Sequence, residues 1–193
     1  MSSASRPGSR DIARKAVRSE LAAVALELFA QHGFDAVTVN DLAAASGVSR
    51  STFLRYFASK EETVLTALDS CGELLARAVR EQPAGTDDWT VLRRALGVLV
   101  ERYQADVPTA VQTTRLVAAT PALCAQRLEK QHGWRPEIAD ALIARGTTPT
   151  VAAVRASAAL ACLEVAIERW ADEDGQPDLG ALLDEAFTAL AAR

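Results

Sequence analysis

Residues 38 to 60 read Thr38-Val39-Asn40-Asp41-Leu42-Ala43-Ala44-Ala45-Ser46-Gly47-Val48-Ser49-Arg50-Ser51-Thr52-Phe53-Leu54-Arg55-Tyr56-Phe57-Ala58-Ser59-Lys60. The stretch spells two short helices joined by a tight turn. Thr38 followed by Asp41 fits a capping box, in which the Thr oxygen takes a free backbone N–H and the carboxylate reaches back to the helix start. A helix therefore begins near Val39. Gly47 adopts positive φ at low steric cost and suits the position just past a helix end, with Ser49 ready to cap the next helix. Ser59 and Glu62 repeat the cap pattern for a further helix. Short helices meeting at a steep angle across a glycine turn form a helix-turn-helix.

The second of these helices has two unlike faces. Phe53 and Phe57, four apart, point to one side, into a core; Arg50, Ser51, Leu54 and Arg55 point to the other, beside Thr52 and Tyr56. The outward set suits the major groove of DNA, where Arg forks onto guanine and hydroxyls meet bases or phosphates. Upstream, Val17, Leu21, Val24, Ala25, Leu28 and Phe29 make one apolar stripe on a helix from about Val17 to His32. Gly33 ends it, and Phe34 is placed to fold back onto its last turn. Ahead of it, Arg6, Arg10, Arg14, Lys15 and Arg18 face a single acid, Asp11. Residues 1–13 are expected as a flexible basic arm, with Arg14, Lys15 and Arg18 near DNA backbone.

The run from Ala25-Leu26-Glu27-Leu28-Phe29 through Gly33-Phe34, then Thr38-Val39-Asn40-Asp41-Leu42-Ala43, Gly47-Val48-Ser49 and Thr52-Phe53-Leu54-Arg55-Tyr56-Phe57-Ala58-Ser59-Lys60-Glu61 resembles the tetracycline-repressor (TetR) family of bacterial regulators. The resemblance covers about residues 14 to 65. It implies a dimeric repressor released by a ligand, with phosphate contacts from Thr38, Tyr56 and Lys60. It also implies base or phosphate contacts from Arg50, Ser51, Thr52 and Arg55, beside the capping Ser49. Leu54 departs from the pattern, standing where the family usually carries an aromatic, often Tyr. A hydroxyl contact to phosphate is lost there, and a Leu side chain can instead touch a thymine methyl.

Charge follows the same division. Residues 1–60 hold eight Lys or Arg against five acids, a net +3, whereas residues 61–193 hold thirteen against twenty, a net −7. Attraction for nucleic acid is thus expected to be confined to the amino-terminal part. The chain has 193 residues, 49% of them hydrophobic, enough for a small domain and a larger one. Ala and Leu dominate and no stretch alternates over a strand's length, so the fold class is all-α, with about nine helices. The domains expected are the arm at 1–13, a three-helix helix-turn-helix unit at 14–58, and a helical effector-binding and dimerisation domain at 59–193.

No phosphate-cradling glycine loop, Gly-x-Ser-x-Gly elbow or His-Glu-x-x-His motif occurs, and His32 and His132 are the only histidines, so the chain is read as no enzyme. Cys71, Cys124 and Cys162 are widely spaced within apolar helical patterns and read as core thiols; no metal site and no cofactor are expected. Nothing at the start resembles a secretory signal. The longest apolar region, Val151 to Ile167, carries Arg155 and Glu164 and reads as too short and too charged to span a bilayer. The location expected is the cytoplasm.

Beyond Ser59, punctuation marks the helices. One helix is expected from Lys60 to about Glu81, one capped by Thr86 or Asp87 to about Ala105, and others starting at Asp106 with Pro108, at Thr120-Pro121 and at Thr148-Pro149. Gly175-Gln176-Pro177-Asp178 separates the last two. Val151 to Trp170 is apolar on nearly all sides and must be covered on all sides. A two-fold dimer is expected through residues 149–192, with Val154, Ala158, Cys162, Val165, Leu183 and Phe187 at its interface. Paired recognition helices would then read an inverted-repeat operator in double-stranded DNA. Trp89, Tyr103, Arg115, Cys124, Trp134 and Trp170 are candidates to line a pocket for a small, largely apolar effector.

The function expected is therefore that of a sequence-specific DNA-binding transcriptional regulator, a dimeric repressor released by its ligand. The alternatives are a ligand-independent DNA-binding regulator, or a helical interaction protein whose basic face binds an acidic protein.

Overall fold

The computed structural model describes residues 8–191. Within them are ten α-helices and one 3-10 turn, and no strand. The chain divides into two compact units, Met1–Ala67 and Leu68–Arg193.

The first unit holds α1 (Ser9–His32), α2 (Val39–Ala45), α3 (Arg50–Tyr56), α4 (Lys60–Leu65) and the start of the 3-10 turn Thr66–Leu68. Helix α1 begins at Ser9 rather than near Val17. Nothing after Gly8 breaks a helix, and Arg, Lys and Ala carry it on although the apolar stripe has run out. Residues 9–13, expected within the flexible arm, are thus helical, and residues 1–7 lie outside the described ones. Gly33 closes α1 at φ 80°, its N–H bonded to the Phe29 carbonyl at 2.9 Å. The Phe34 ring then folds back to 4.9 Å from that of Phe29.

The boundary between units falls after Ala67, not at 58/59, because α4 belongs with α1. Thr63, Val64 and Leu65 are buried. Glu62 Oε1 accepts from Arg18 of α1 at 3.0 Å, while Glu62 Oε2 takes the Ala58 N–H at 2.6 Å. The helix expected from Lys60 to Glu81 is divided. The Thr63 hydroxyl donates to the Lys60 carbonyl at 2.6 Å and that of Thr66 to the Glu62 carbonyl at 2.8 Å. Such back-bonding competes with the helical ladder, and Asp69 and Ser70 then favour a turn. Counting α4, the 3-10 turn and α5 as that one expected helix, the total is nine.

The second unit holds α5 (Cys71–Arg80), α6 (Asp88–Ala105), α7 (Val107–Ala119), α8 (Pro121–Ile143), α9 (Pro149–Asp172) and α10 (Leu179–Ala191). Three aspartates begin helices by taking a backbone N–H: Asp87 from Thr90 at 3.0 Å, Asp106 from Thr109 at 3.2 Å and Asp178 from Ala181 at 2.7 Å. Thr120 and Thr148 stand at the expected starts, each ahead of a Pro, but neither side chain makes a capping bond. Helix α9 has 24 residues, so the expectation that this region is too short to span a bilayer does not hold; by length and composition the helix would suffice. Its Ala156, Ala159, Leu163, Ala166 and Trp170 are instead buried in the core of the unit.

Helix α5 lies directly on α8. A Cβ at Gly72 would stand 2.8 Å from Glu137 Oε1 and 2.9 Å from Trp134 Cδ1, so only glycine fits without a shift.

Candidate nucleic-acid interface and effector site

Helix α3 is positioned from both ends. The Thr38 capping box is complete: the Thr38 N–H donates to Asp41 Oδ2 at 2.9 Å and the Asp41 N–H to Thr38 Oγ1 at 3.3 Å. The Thr38 hydroxyl also donates to Asp41 Oδ2 at 2.6 Å, and these bonds hold the Asp41 carboxyl below its ordinary pKa. After α2, the Val48 N–H reaches the Ala43 carbonyl at 3.0 Å and the Gly47 N–H the Ala44 carbonyl at 3.1 Å, with Gly47 at φ 67°. This pairing across a left-handed glycine is a Schellman turn. Ser49 then caps α3 through the Thr52 N–H at 3.1 Å, and its hydroxyl lies 3.0 Å from that of Ser51 and donates to Thr52 Oγ1 at 2.9 Å.

The inner face of α3 is closed. Phe53 and Phe57 are 0% and 1% exposed, with ring centroids 5.4 Å apart. On the outer face Ser49, Arg50, Ser51 and Arg55 are exposed, and Thr52, Leu54 and Tyr56 are half-buried. The Arg55 guanidinium lies over the Tyr56 ring at 5.8 Å. Among the described residues Arg14, Lys15, Arg50 and Arg55 are without a carboxylate partner, which leaves their charge available to phosphate or base edges.

Arg18 and Lys60, expected to reach phosphate, are turned inward. The Arg18 guanidinium donates to the Tyr56 carbonyl and to Glu62, and lies 4.6 Å from the Phe57 ring centroid. It ties α1 to the end of α3. Lys60 Nζ donates to the Phe34 carbonyl at 2.7 Å and the Val37 carbonyl at 3.1 Å, and sits over the Phe34 ring at 4.4 Å. The loop between α1 and α2 leaves those carbonyls without a helical partner, and the ammonium supplies one. No local sequence signal separates such an inward cation from an outward one.

In the second unit Trp134 and Trp170 lie in one hydrophobic core and Trp89 and Tyr103 pack against it, whereas Arg115 and Cys124 are not part of it. Trp89 donates through Nε1 to the Phe187 carbonyl at 3.4 Å and stacks on the Phe187 ring at 4.4 Å, so it packs α6 on α10. Arg115 is exposed and pairs with Asp174 at 2.7 Å, near the end of α9. Trp134 packs against Gly72. Tyr103 and Trp170 do meet, ring edge to face at 5.9 Å. Cys124 is half-buried, and Arg127, one turn further along α8, donates to Glu164 at 2.8 Å and Gln131 at 3.1 Å. Sequence reading passed over Arg127, because an Arg on a helix is usually solvated.

Of the residues expected at a dimer interface, Cys162, Leu183 and Phe187 are buried within the unit, because α9 and α10 turn them onto its own core. Val154 and Val165 are 63% and 59% exposed, and Ala158 is half-buried between them. Burial pushes the Cys71 and Cys162 thiols up, away from reactivity. Among the described residues no three His, Cys, Asp or Glu side chains are grouped as a metal ion would need.

A family model described as bacterial regulatory proteins, tetR family, matches residues 21–66, and one described as the MftR C-terminal domain matches residues 86–193. The chain belongs to the TetR family. This TetR-family chain is 30% identical over 179 residues to MftR of Mycobacterium tuberculosis, a regulator whose name assigns it to mycofactocin biosynthesis; the match covers 88% of this chain and 86% of that protein. It is 32% identical over 145 residues to the HTH-type transcriptional regulator TcmR of Streptomyces glaucescens, covering 72% of this chain but 64% of TcmR. Among solved structures it shares its fold with the transcriptional regulator FadR of Bacillus subtilis in complex with stearoyl-CoA. There the TM-score is 0.63 at 18% identity, over 90% of this chain and 97% of the other. The family resemblance read from residues 14–65 thus extends over both units, and the relatives named here are transcriptional regulators rather than enzymes.

Proposed function

We propose that this TetR-family regulator is a cytoplasmic repressor that binds an inverted-repeat DNA operator as a homodimer and leaves it when its second unit binds a small, largely apolar molecule. The observation that carries the DNA reading is the division of α3, with Phe53 and Phe57 sealed inside and Arg50 and Arg55 exposed without carboxylate partners. In this reading Arg50, Ser51, Thr52, Leu54 and Arg55 face the major groove. Arg14, Lys15, Thr38, Ser49 and Tyr56 meet the backbone, and Arg18 and Lys60 hold the helices that present them.

The dimer reading rests on α9, where Val151, Val154, Ala161 and Val165 form an exposed apolar stripe along one face. Such a stripe is stable in water when a second copy covers it. The effector reading rests on the fold shared with a FadR that holds stearoyl-CoA and on the aromatic pair Tyr103 and Trp170. For near-complete release the ligand must prefer the non-binding state by roughly 5.5 kcal/mol.

Selection of bound duplexes from a random pool tests the whole reading. Enriched inverted repeats with half-sites about 34–36 Å apart, or a multiple of that, are the expected outcome. Recovery of no sequence preference would remove it. Release of the selected operator by members of a small-molecule panel, acyl compounds included, tests the effector part.

A further inference from the structure

Between Val111 and Trp134 the packing of the second unit changes character. Its core takes Val111 from α7 and Trp134, Ile138, Ala139, Ala141 and Leu142 from the far half of α8, but no hydrophobic side chain from 112 to 133. Val117 and Leu123, on either side of the turn at Thr120, are buried apart from that core, and Leu128 is exposed. What fastens the stretch to its surroundings is charge. Arg115 pairs with Asp174 at 2.7 Å, Arg127 with Glu164 at 2.8 Å and Lys130 with Asp69 at 2.5 Å, and every one of these side chains keeps contact with solvent. Ion pairs open to water stabilise weakly and are screened by salt, whereas the far half of α8 is anchored by apolar burial.

The helix is weakest where this stretch ends. Pro136 stands inside α8 and has no N–H to give the His132 carbonyl. Gly133 lies in the same turn; a Cβ there would meet nothing within 4 Å, and its φ is not positive. Neither packing nor backbone calls for glycine at that position, and its presence lowers helix stability there. On α7 the residues after the anchored Val111 are Gln112, Thr113 and Thr114, two of them β-branched and poor at holding a helix. We propose that residues 112–131 are a flap that swings out as one piece about Gly133–Pro136 while the core stays folded, with the three ion pairs as its latch. Arg127 and Arg115 fasten it at Glu164 and Asp174, which bracket Ile167, Trp170 and Ala171 of α9, so opening gives solvent and solutes a route to that stretch. The flap rests on the packing of the second unit and not on the effector reading, to which it supplies a way in.

Hydrogen exchange followed by mass spectrometry on the full-length protein, across denaturant concentrations below the unfolding transition, tests the flap. Amides of 112–131 are expected to exchange through one common opening, at least about tenfold faster than those of 137–143 and with little dependence on denaturant. Raising salt from about 0.1 M to about 1 M shortens the screening length from roughly 10 Å to 3 Å and should speed that opening, as should Arg115→Gln with Lys130→Gln. Gly133→Ala with Pro136→Ala, at two exposed positions, should slow it at least about tenfold, because the turning point then carries a complete helical ladder. Simple fraying of the start of α8 would ignore the two alanines, and that result would overturn the hinge. Exchange of 112–131 only as the whole unit unfolds would overturn the flap, and an opening indifferent to both salt and the Arg115, Lys130 variant would overturn the latch.

Discussion

At the scale of single residues, Arg55 and Asp41 show how local chemistry bears on function. Arg55 is exposed on the outer face of α3 without a carboxylate partner. If it reads a guanine, Arg55→Ala weakens the selected operator by about 1–3 kcal/mol and relaxes preference at one base pair per half-site, as fluorescence anisotropy against single-base variants would measure. Unchanged affinity in an Arg50→Ala, Arg55→Ala double variant would dispose of the groove assignment. Asp41 is held below its ordinary pKa first by the Thr38 hydroxyl and then by the Thr38 N–H. A depressed carboxylate contributes stability that is present above its unfolded pKa, about 3.9, and is lost as pH falls through the lower folded value. The melting-temperature gap between wild type and Asp41→Asn should accordingly be full near neutrality and close progressively below about pH 4.

At the scale of elements, two contacts decide how helices sit within their own units. Lys60 supplies a cation to the two carbonyls after α1, so Lys60→Ala should lower the melting temperature as well as operator affinity. A residue that touched only phosphate would lower affinity alone, and a melting curve indistinguishable from wild type would restore that simpler role. Gly72 lets α5 lie against Trp134 and Glu137 of α8. Gly72→Ala forces those side chains aside and should cost about 1–3 kcal/mol in chemical denaturation, which would report it directly. Much of this level was legible beforehand. The Thr38, Ser49, Asp87 and Asp106 caps and the Gly33 and Gly47 stops all act within about one turn of the chain, where spacing alone determines who can bond to whom. The break between α4 and α5 was not legible, because Thr63 and Thr66 look like ordinary helix residues until their hydroxyls turn back on the ladder.

At the scale of the whole molecule, the α9 stripe carries the assembly proposal. Val154→Asp with Val165→Asp should shift sedimentation toward the 20.5 kDa single chain and weaken operator binding, since one recognition helix then acts alone. A wild-type chain that already sediments at that mass at micromolar concentration would argue against the dimer. Binding should also fall with salt at a log–log slope of roughly −0.9 per phosphate neutralised.

By itself the amino-acid sequence determined the helices, most of their ends, the helix-turn-helix and the family, because capping, glycine turns and 3.6-residue periodicity are short-range effects written in adjacent residues. Which side of a helix meets which neighbour is a long-range matter. Only the tertiary structure turned Arg18 and Lys60 inward, gave Cys162, Leu183 and Phe187 to the core of the second unit, set Trp89 on Phe187, paired Arg115 with Asp174, and joined Arg127 of α8 to Glu164 of α9. A side chain's type constrains what it can bond to, but its partner is chosen by packing between segments far apart in the chain.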